Sequence, residues 1–260
     1  MNRGLWNRET VAAILIAAYL PMALFWLWLE GTDALARLGF TALVIAVWHL
    51  VFMLTRAQAP SLAAVTAAFA IAMLAPEDLG IFRLALGISF GVVMGELVFG
   101  GWGRNVVHPA TVALSFLGYG FPTAAWPVLD APIAWAAIPA ALIGMATGVM
   151  PAQVIAGAVL VAGGAAAAGL LGEPALLAGG IVLVLLVADP VTSAITLPGR
   201  WINGALYAAL LTLFATGWAG AAPIQIAVAA ALLTSLAAPL LDEAVLALWV
   251  AQRRRRHGRT

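Results

Sequence analysis

Two short stretches hold most of the polar chemistry of an otherwise apolar chain. The first, Phe99 to Phe116, reads FGGWGRNVVHPATVALSF, and the second, Ala188 to Ile202, reads ADPVTSAITLPGRWI. Each carries a polar residue, a proline and, two residues on, a threonine: His108, Pro109 and Thr111 in one, Asp189, Pro190 and Thr192 in the other. A helix that begins at Pro109 offers unpaired backbone N–H groups, which favour a phosphate, a carboxylate or an electron-rich ring edge. Asn105, His108, Thr111 and Ser115 add side-chain donors and acceptors on that stretch, and Asp189, Thr192, Ser193 and Thr196 do so on the other. Such a pair would suit a polar ligand with a planar apolar body. The competing reading is that the same groups cap their own helix ends.

Four further ionisable residues lie in apolar surroundings. Glu96 falls between Gly95 and Leu97, and a carboxylate inside a membrane segment is a functional candidate by default. Asp242 and Glu243 follow Pro239 in the last apolar run and could lie on an ion path or pair with an arginine from another loop. Glu96 and Asp242 are therefore the two candidates for an ion or proton path. His49, set beside Trp48, is expected to be a hydrogen-bonded packing residue rather than a haem ligand.

The elements that must position these residues are membrane helices. Of 260 residues, 64% are hydrophobic and only 9% charged, with a mean hydropathy of +1.06, so the chain is an integral membrane protein with little room for an aqueous domain. A spanning helix needs about 20 apolar residues. On that measure the chain holds about ten transmembrane segments, two of them cut short by the breaks at Gly100 to His108 and at Asp189. Broken helices in two halves point to a repeat-built fold with a site near the midplane. The expected organisation is a single polytopic domain over 1–260, with approximate repeats at 1–125 and 126–252 and a basic tail at 253–260. A tight turn is expected at Asp33, and Arg200 and Trp201 mark an interfacial helix start. All twelve basic residues are arginine, five of them in the last eight residues. With Arg3, Arg8 and Arg56, they place both termini in the cytoplasm by the positive-inside rule, and argue for a membrane anchor rather than a nucleic-acid patch. The first span is expected to be retained rather than cleaved as a signal peptide.

The absence of cysteine removes disulfides, thiolate-bound iron–sulfur clusters and cysteine-type zinc sites from this chain. No metal site is expected. No P-loop, GxSxG or HExxH occurs, and Gly100-Gly101-Trp102-Gly103 follows no strand, so no catalytic residue is assigned.

ISFGVVMGELVFGGWGRNVVHPA, Ile88 to Ala110, then Phe121-Pro122, ADPVTSAITLPGRWINGAL and SLAAPLLDEAVLALWVAQRRRR, in that order, are specific. They resemble the large membrane subunit of the sodium-pumping NADH:quinone oxidoreductase, NqrB, and its relative RnfD. The resemblance covers most of the chain from about Gly80. It implies an all-α fold of two inverted five-helix repeats, similar to urea-transporter-like channels, in the bacterial inner membrane. It also implies an electron-transfer subunit, not catalytic alone, that works beside flavin- or iron–sulfur-bearing subunits, with coupling to Na+ or H+ movement left open. In the family the first break reads like GGTGKNxxNPA, so Asn105 and Pro109 match while His108 stands where asparagine is usual. The second fits a DPVSAS-like pattern at Asp189, Pro190 and Ser193. By this resemblance the two breaks would hold a non-covalent riboflavin or FMN, with quinone a further candidate. Family members attach FMN to a threonine in an SGAT- or DGAT-like segment, which the interval Gly118 to Ile133 lacks, so no covalent FMN is expected. A channel or transporter without redox activity, and a structural membrane anchor, are the alternatives.

Overall fold

The computed structural model describes residues 7–129 and 131–257, with side chains as far as Arg254 in the last helix. Arg3 and the last three residues of the basic tail lie outside the described residues. The elements are α1 (Arg8–Arg56), α2 (Ala63–Leu74), α3 (Gly80–Gly95), α4 (Pro109–Gly120), α5 (Ala131–Ala146), α6 (Ala152–Ala167), α7 (Glu173–Val182), α8 (Leu197–Gly217) and α9 (Pro223–His257). A 3-10 turn, Leu97–Phe99, extends α3, and a π turn, Leu183–Val187, extends α7. Among the described residues, three stretches are long and apolar enough to cross a membrane by length and composition: Arg8–Arg56, Gly80–Phe99 and Pro223–Arg254.

The first helix is two. Gly31 has φ 63° and ψ −132°, a conformation that glycine adopts without steric cost. Glu9, at the start of α1, accepts a hydrogen bond from Leu62 N, beyond its end, at 2.9 Å. A straight helix of 49 residues would hold its ends about 70 Å apart, so the chain doubles back at Gly31. The reversal expected at Asp33 is thus two residues earlier, and Asp33 is helical. With α1 counted as two, ten helical segments are described.

Small residues bring the helices together. The face Gly87, Gly91, Gly95 of α3 lies directly on α4, where Leu117, the Ala113 backbone and Pro109 fill the space a Cβ would need. On the other side of the molecule, Gly157 of α6 meets the carbonyl of Trp201, and Gly204 of α8 meets that of Val154. Backbone approach of this kind replaces the hydrophobic drive that lipid does not supply between helices. At the centre, α2 and the π turn are almost wholly buried. Outward-facing residues such as Phe82, Leu86, Trp135, Leu160 and Leu213 are large, apolar and exposed, as a lipid-facing surface requires.

Polar contacts close the two ends of the bundle. At one end Glu9 holds Leu62, and Asp242 of α9 holds the backbone at 195–196. At the other, Arg37 bonds to the carbonyls of Ala75 and Pro76, Asp78 to Ala125 N at 2.9 Å, and Gln225 to the carbonyl of Gly118 at 3.3 Å. The first break joins α3 to α4 and the second joins α7 to α8. Counted in two sets of five segments, these are different places: after the fourth segment in one set and after the third in the other.

Candidate functional site

The first break is organised by Glu96. It ends α3 with φ −133° and ψ −57°, its carbonyl accepts from Phe99 N and Gly101 N, and its carboxylate accepts from Trp102 N at 3.1 Å. Gly100, Gly101 and Gly103 carry φ of 100°, 92° and 96°, which lets the strap curl back over that carboxylate. Gln58, with its amide oriented to accept from Gly101 N at 2.8 Å and donate to Leu97 O at 3.3 Å, fastens the strap to the end of α1. Asn105 then accepts from Gly103 N at 3.1 Å and donates to Val107 O at 3.2 Å. His108 is the N-cap of α4, its Nδ1 accepting from Ala110 N at 3.3 Å, with Pro109 in the first turn. An imidazole that accepts at Nδ1 keeps its proton at Nε2.

The second break is built by an aspartate turn. Asp189 Oδ2 accepts from Val191 N and Thr192 N, both at 3.0 Å, and from Thr192 Oγ1 at 3.2 Å. Ser193 N closes back onto the Asp189 carbonyl at 3.2 Å. Thr196 is the N-cap of α8, its hydroxyl accepting from Gly199 N at 3.2 Å. Because capping places the first turn at Leu197 and Pro198, α8 starts four residues before the expected Trp201. Asp242 accepts from Ile195 N at 2.8 Å, from Thr196 N at 2.9 Å and from the Thr196 hydroxyl. It is therefore a strap between α9 and the second break, bonded to backbone.

Asp189 is within electrostatic range of Glu96, His108 and Tyr19. Tyr19, from the first half of α1, donates to the Val184 carbonyl in the π turn at 3.2 Å. Glu96, Asn105, His108, Thr111, Asp189, Thr192 and Ser193 are all buried. Of these, Thr111 carries a hydroxyl without a hydrogen-bond partner, and Ser115, one turn further along α4, does too. Thr196 and Asp242 form a separate, half-buried pair. Among the described residues no group of three or more His, Cys, Asp or Glu side chains could hold a metal ion.

One residue gains a position that its neighbours in sequence did not indicate. His49 is 7% exposed, its Nε2 has no hydrogen-bond partner, and it stands 4.0 Å from Glu96 Oε1. It also lines a cavity of about 560 Å³ between the second half of α1 and α2, whose walls include Ala42, Ile45, Met53, Ala64 and Ala68. Ser61 is the other polar lining residue. The signal was present as a helical stripe, Ala42, Ile45, His49 and Met53, with one polar member. Other cavities with room for a small molecule are lined by different residues, one of about 310 Å³ between α5, α6 and α7 and one of about 250 Å³ around Glu30, Asp33, Arg37 and Glu77.

A family model described as the NQR2, RnfD, RnfE family matches residues 6–185, from the start of α1 into the π turn. The chain belongs to the NQR2, RnfD and RnfE family. Among curated proteins it is similar to the NqrB subunit of the Na(+)-translocating NADH-quinone reductase of Stutzerimonas stutzeri, with 32% identity over 42% of this chain and 28% of that protein. The corresponding protein of Azotobacter vinelandii is 27% identical over 58% of this chain and 39% of its own length, and that of Yersinia pestis is 36% identical over 31% and 19%. These matches reach across well under two thirds of the relatives. Family, helices and lipid-facing surface agree on a membrane protein.

Proposed function

We propose that this chain is an NqrB/RnfD-like membrane subunit of a multisubunit redox complex in a bacterial inner membrane, with both ends cytoplasmic. In this reading it takes a planar redox carrier, a quinone or a non-covalent riboflavin or FMN, and relays electrons to partner subunits bearing flavin or iron–sulfur centres. The ten helical segments act as spans in two inverted sets of five, with the boundary in the loop between α4 and α5.

The observation that supports this reading best is the α1–α2 cavity with His49 at its wall. Its volume of about 560 Å³ lies in the range of small-molecule pockets. A quinone has carbonyl acceptors on a ring and an apolar tail, which matches one buried N–H donor in an apolar lining. His49 Nε2 is buried on the Glu96 side, 4.0 Å from Oε1, so donating to such a ring would require the imidazole to turn toward the cavity. The protein's part is to exclude water and set the ring beside the first break; the quinone supplies the electron chemistry when bound.

A flavin fits the breaks less directly. Its ring presents several donors and acceptors, which Asn105, His108, Thr111, Asp189, Thr192, Ser193 and Thr196 could meet by type, with Pro109 shaping the turn between them. Asn105, Asp189 and Thr196 spend their side chains on nearby backbone in this conformation, so flavin binding there requires those bonds to exchange. The same closed breaks favour a second reading, a structural anchor without a carrier of its own.

An absorbance spectrum of the purified protein, followed by organic extraction, separates the two. Quinone or flavin in near-stoichiometric amount supports the redox reading, and a colourless protein with an empty extract supports the anchor. Coupling to Na+ or H+ movement, through Glu96 or Asp242, belongs to the same proposal and is read in vesicles as ion uptake during turnover.

A further inference from the structure

Ser115 Oγ and Trp126 Nε1 are both buried and both lack a hydrogen-bond partner. Both residues line one small cavity between the second half of α4 and the start of α9, of about 10 Å³, together with Leu114, Gly118, Tyr119 and Gln225. Gly118 permits the approach, since a Cβ there would press on the Trp126 ring. A buried polar atom left alone is costly, and here two of them share a space about the size of one water.

The donor set narrows the occupant. An indole N–H can only donate, which repels a bare cation, while a serine hydroxyl donates and accepts. An apolar ligand is excluded by the size of the space and by the two polar atoms. We propose that one water is bound here, accepting from Trp126 Nε1 and bonded to Ser115 Oγ. Gln225, whose Nε2 donates to the Gly118 carbonyl at 3.3 Å, lines the same space and brings α9 into the cluster. The water joins the α4–α5 loop to α4, at the opposite end of the helix that His108 caps.

The test is pulsed radiolytic hydroxyl labelling of the full chain in detergent or nanodisc, read by mass spectrometry. A bound water is converted to hydroxyl radical in place and oxidises the residue beside it. Trp102 is the internal control: its Nε1 is also buried and unpartnered, but it lines none of the cavities described above. Trp126 is expected to oxidise an order of magnitude faster than Trp102, and Ser115→Val, which fills the space with methyl groups, to abolish that excess. Equal rates at the two tryptophans in the unaltered protein overturn the proposal, as does an excess at Trp126 that Ser115→Val leaves unchanged. If Ser115→Val does not fold, the comparison within the unaltered protein decides.

Discussion

His49 Nε2 and Glu96 Oε1 stand 4.0 Å apart in the interior, one on α1 and the other where α3 ends. The pair links a large apolar cavity to the turn that starts the first break. If His49 donates to a bound quinone, His49→Leu removes one hydrogen bond and His49→Gln keeps a donor. One such bond is worth about 0.5–1.5 kcal/mol, so half-saturating quinone should rise roughly 2- to 12-fold in the leucine variant and recover in the glutamine variant. Quinone titration of the reconstituted complex checks this. Equal behaviour of the two variants would count against a donor role.

Asp242 accepts three hydrogen bonds from residues 195–196, two of them from backbone N–H groups at a helix start. Asp242→Ala leaves those groups without their partner and should destabilise the protein by about 1–3 kcal/mol. Glu243→Ala, at an exposed neighbour for which no hydrogen bond is seen, should stay within about 0.5 kcal/mol of the parent. Thermal unfolding in detergent measures both. Equal melting temperatures for the two variants would mean that the strap adds nothing to stability.

Gly91 lies against the backbone of Ala113 with no room for a Cβ, whereas a Cβ at Gly39 would meet nothing within 4 Å. Gly91→Ala must separate α3 from α4 and should cost about 1–3 kcal/mol, the usual range for overpacking. Gly39→Ala should be neutral or stabilising by up to about 1 kcal/mol, since glycine weakens a helix interior. The same unfolding assay discriminates the two, and a neutral Gly91→Ala would mean that α3 and α4 can part without loss.

The local features were legible in the sequence because they depend on residues close together in the chain. Gly100, Gly101 and Gly103 announce a strap that cannot be helical, Pro109 starts α4, and the spacing of Gly87, Gly91 and Gly95 marks a face for close approach. Asp189 followed by Pro190 marks a break, and its side chain caps the turn it starts. What could not be read depends on contacts distant in sequence. Asp242 was open to an ion path or an arginine partner, yet its partners are backbone and hydroxyl groups at 195–196. His49 read as packing because nothing near it in the chain shows that Glu96 arrives beside it. Helix ends moved for a related reason: Gly31, and not Asp33, takes the positive φ, and Thr196 caps α8 ahead of Trp201.

The interval Gly118 to Ile133 lacks the SGAT- or DGAT-like segment, and the described part of it is the end of α4, the loop around Trp126 and the start of α5. Protein denatured in acid and separated by mass should therefore carry no flavin on the polypeptide. In-gel fluorescence that travels with the unfolded chain would overturn this expectation.

The most direct test of the redox reading is photolabelling of the intact complex with an azido-quinone, followed by peptide mapping. Labels on peptides carrying residues 38–53 and 60–68, suppressed by excess unlabelled quinone, are the predicted result. Labelling confined to other helices, or unaffected by competitor, would contradict it.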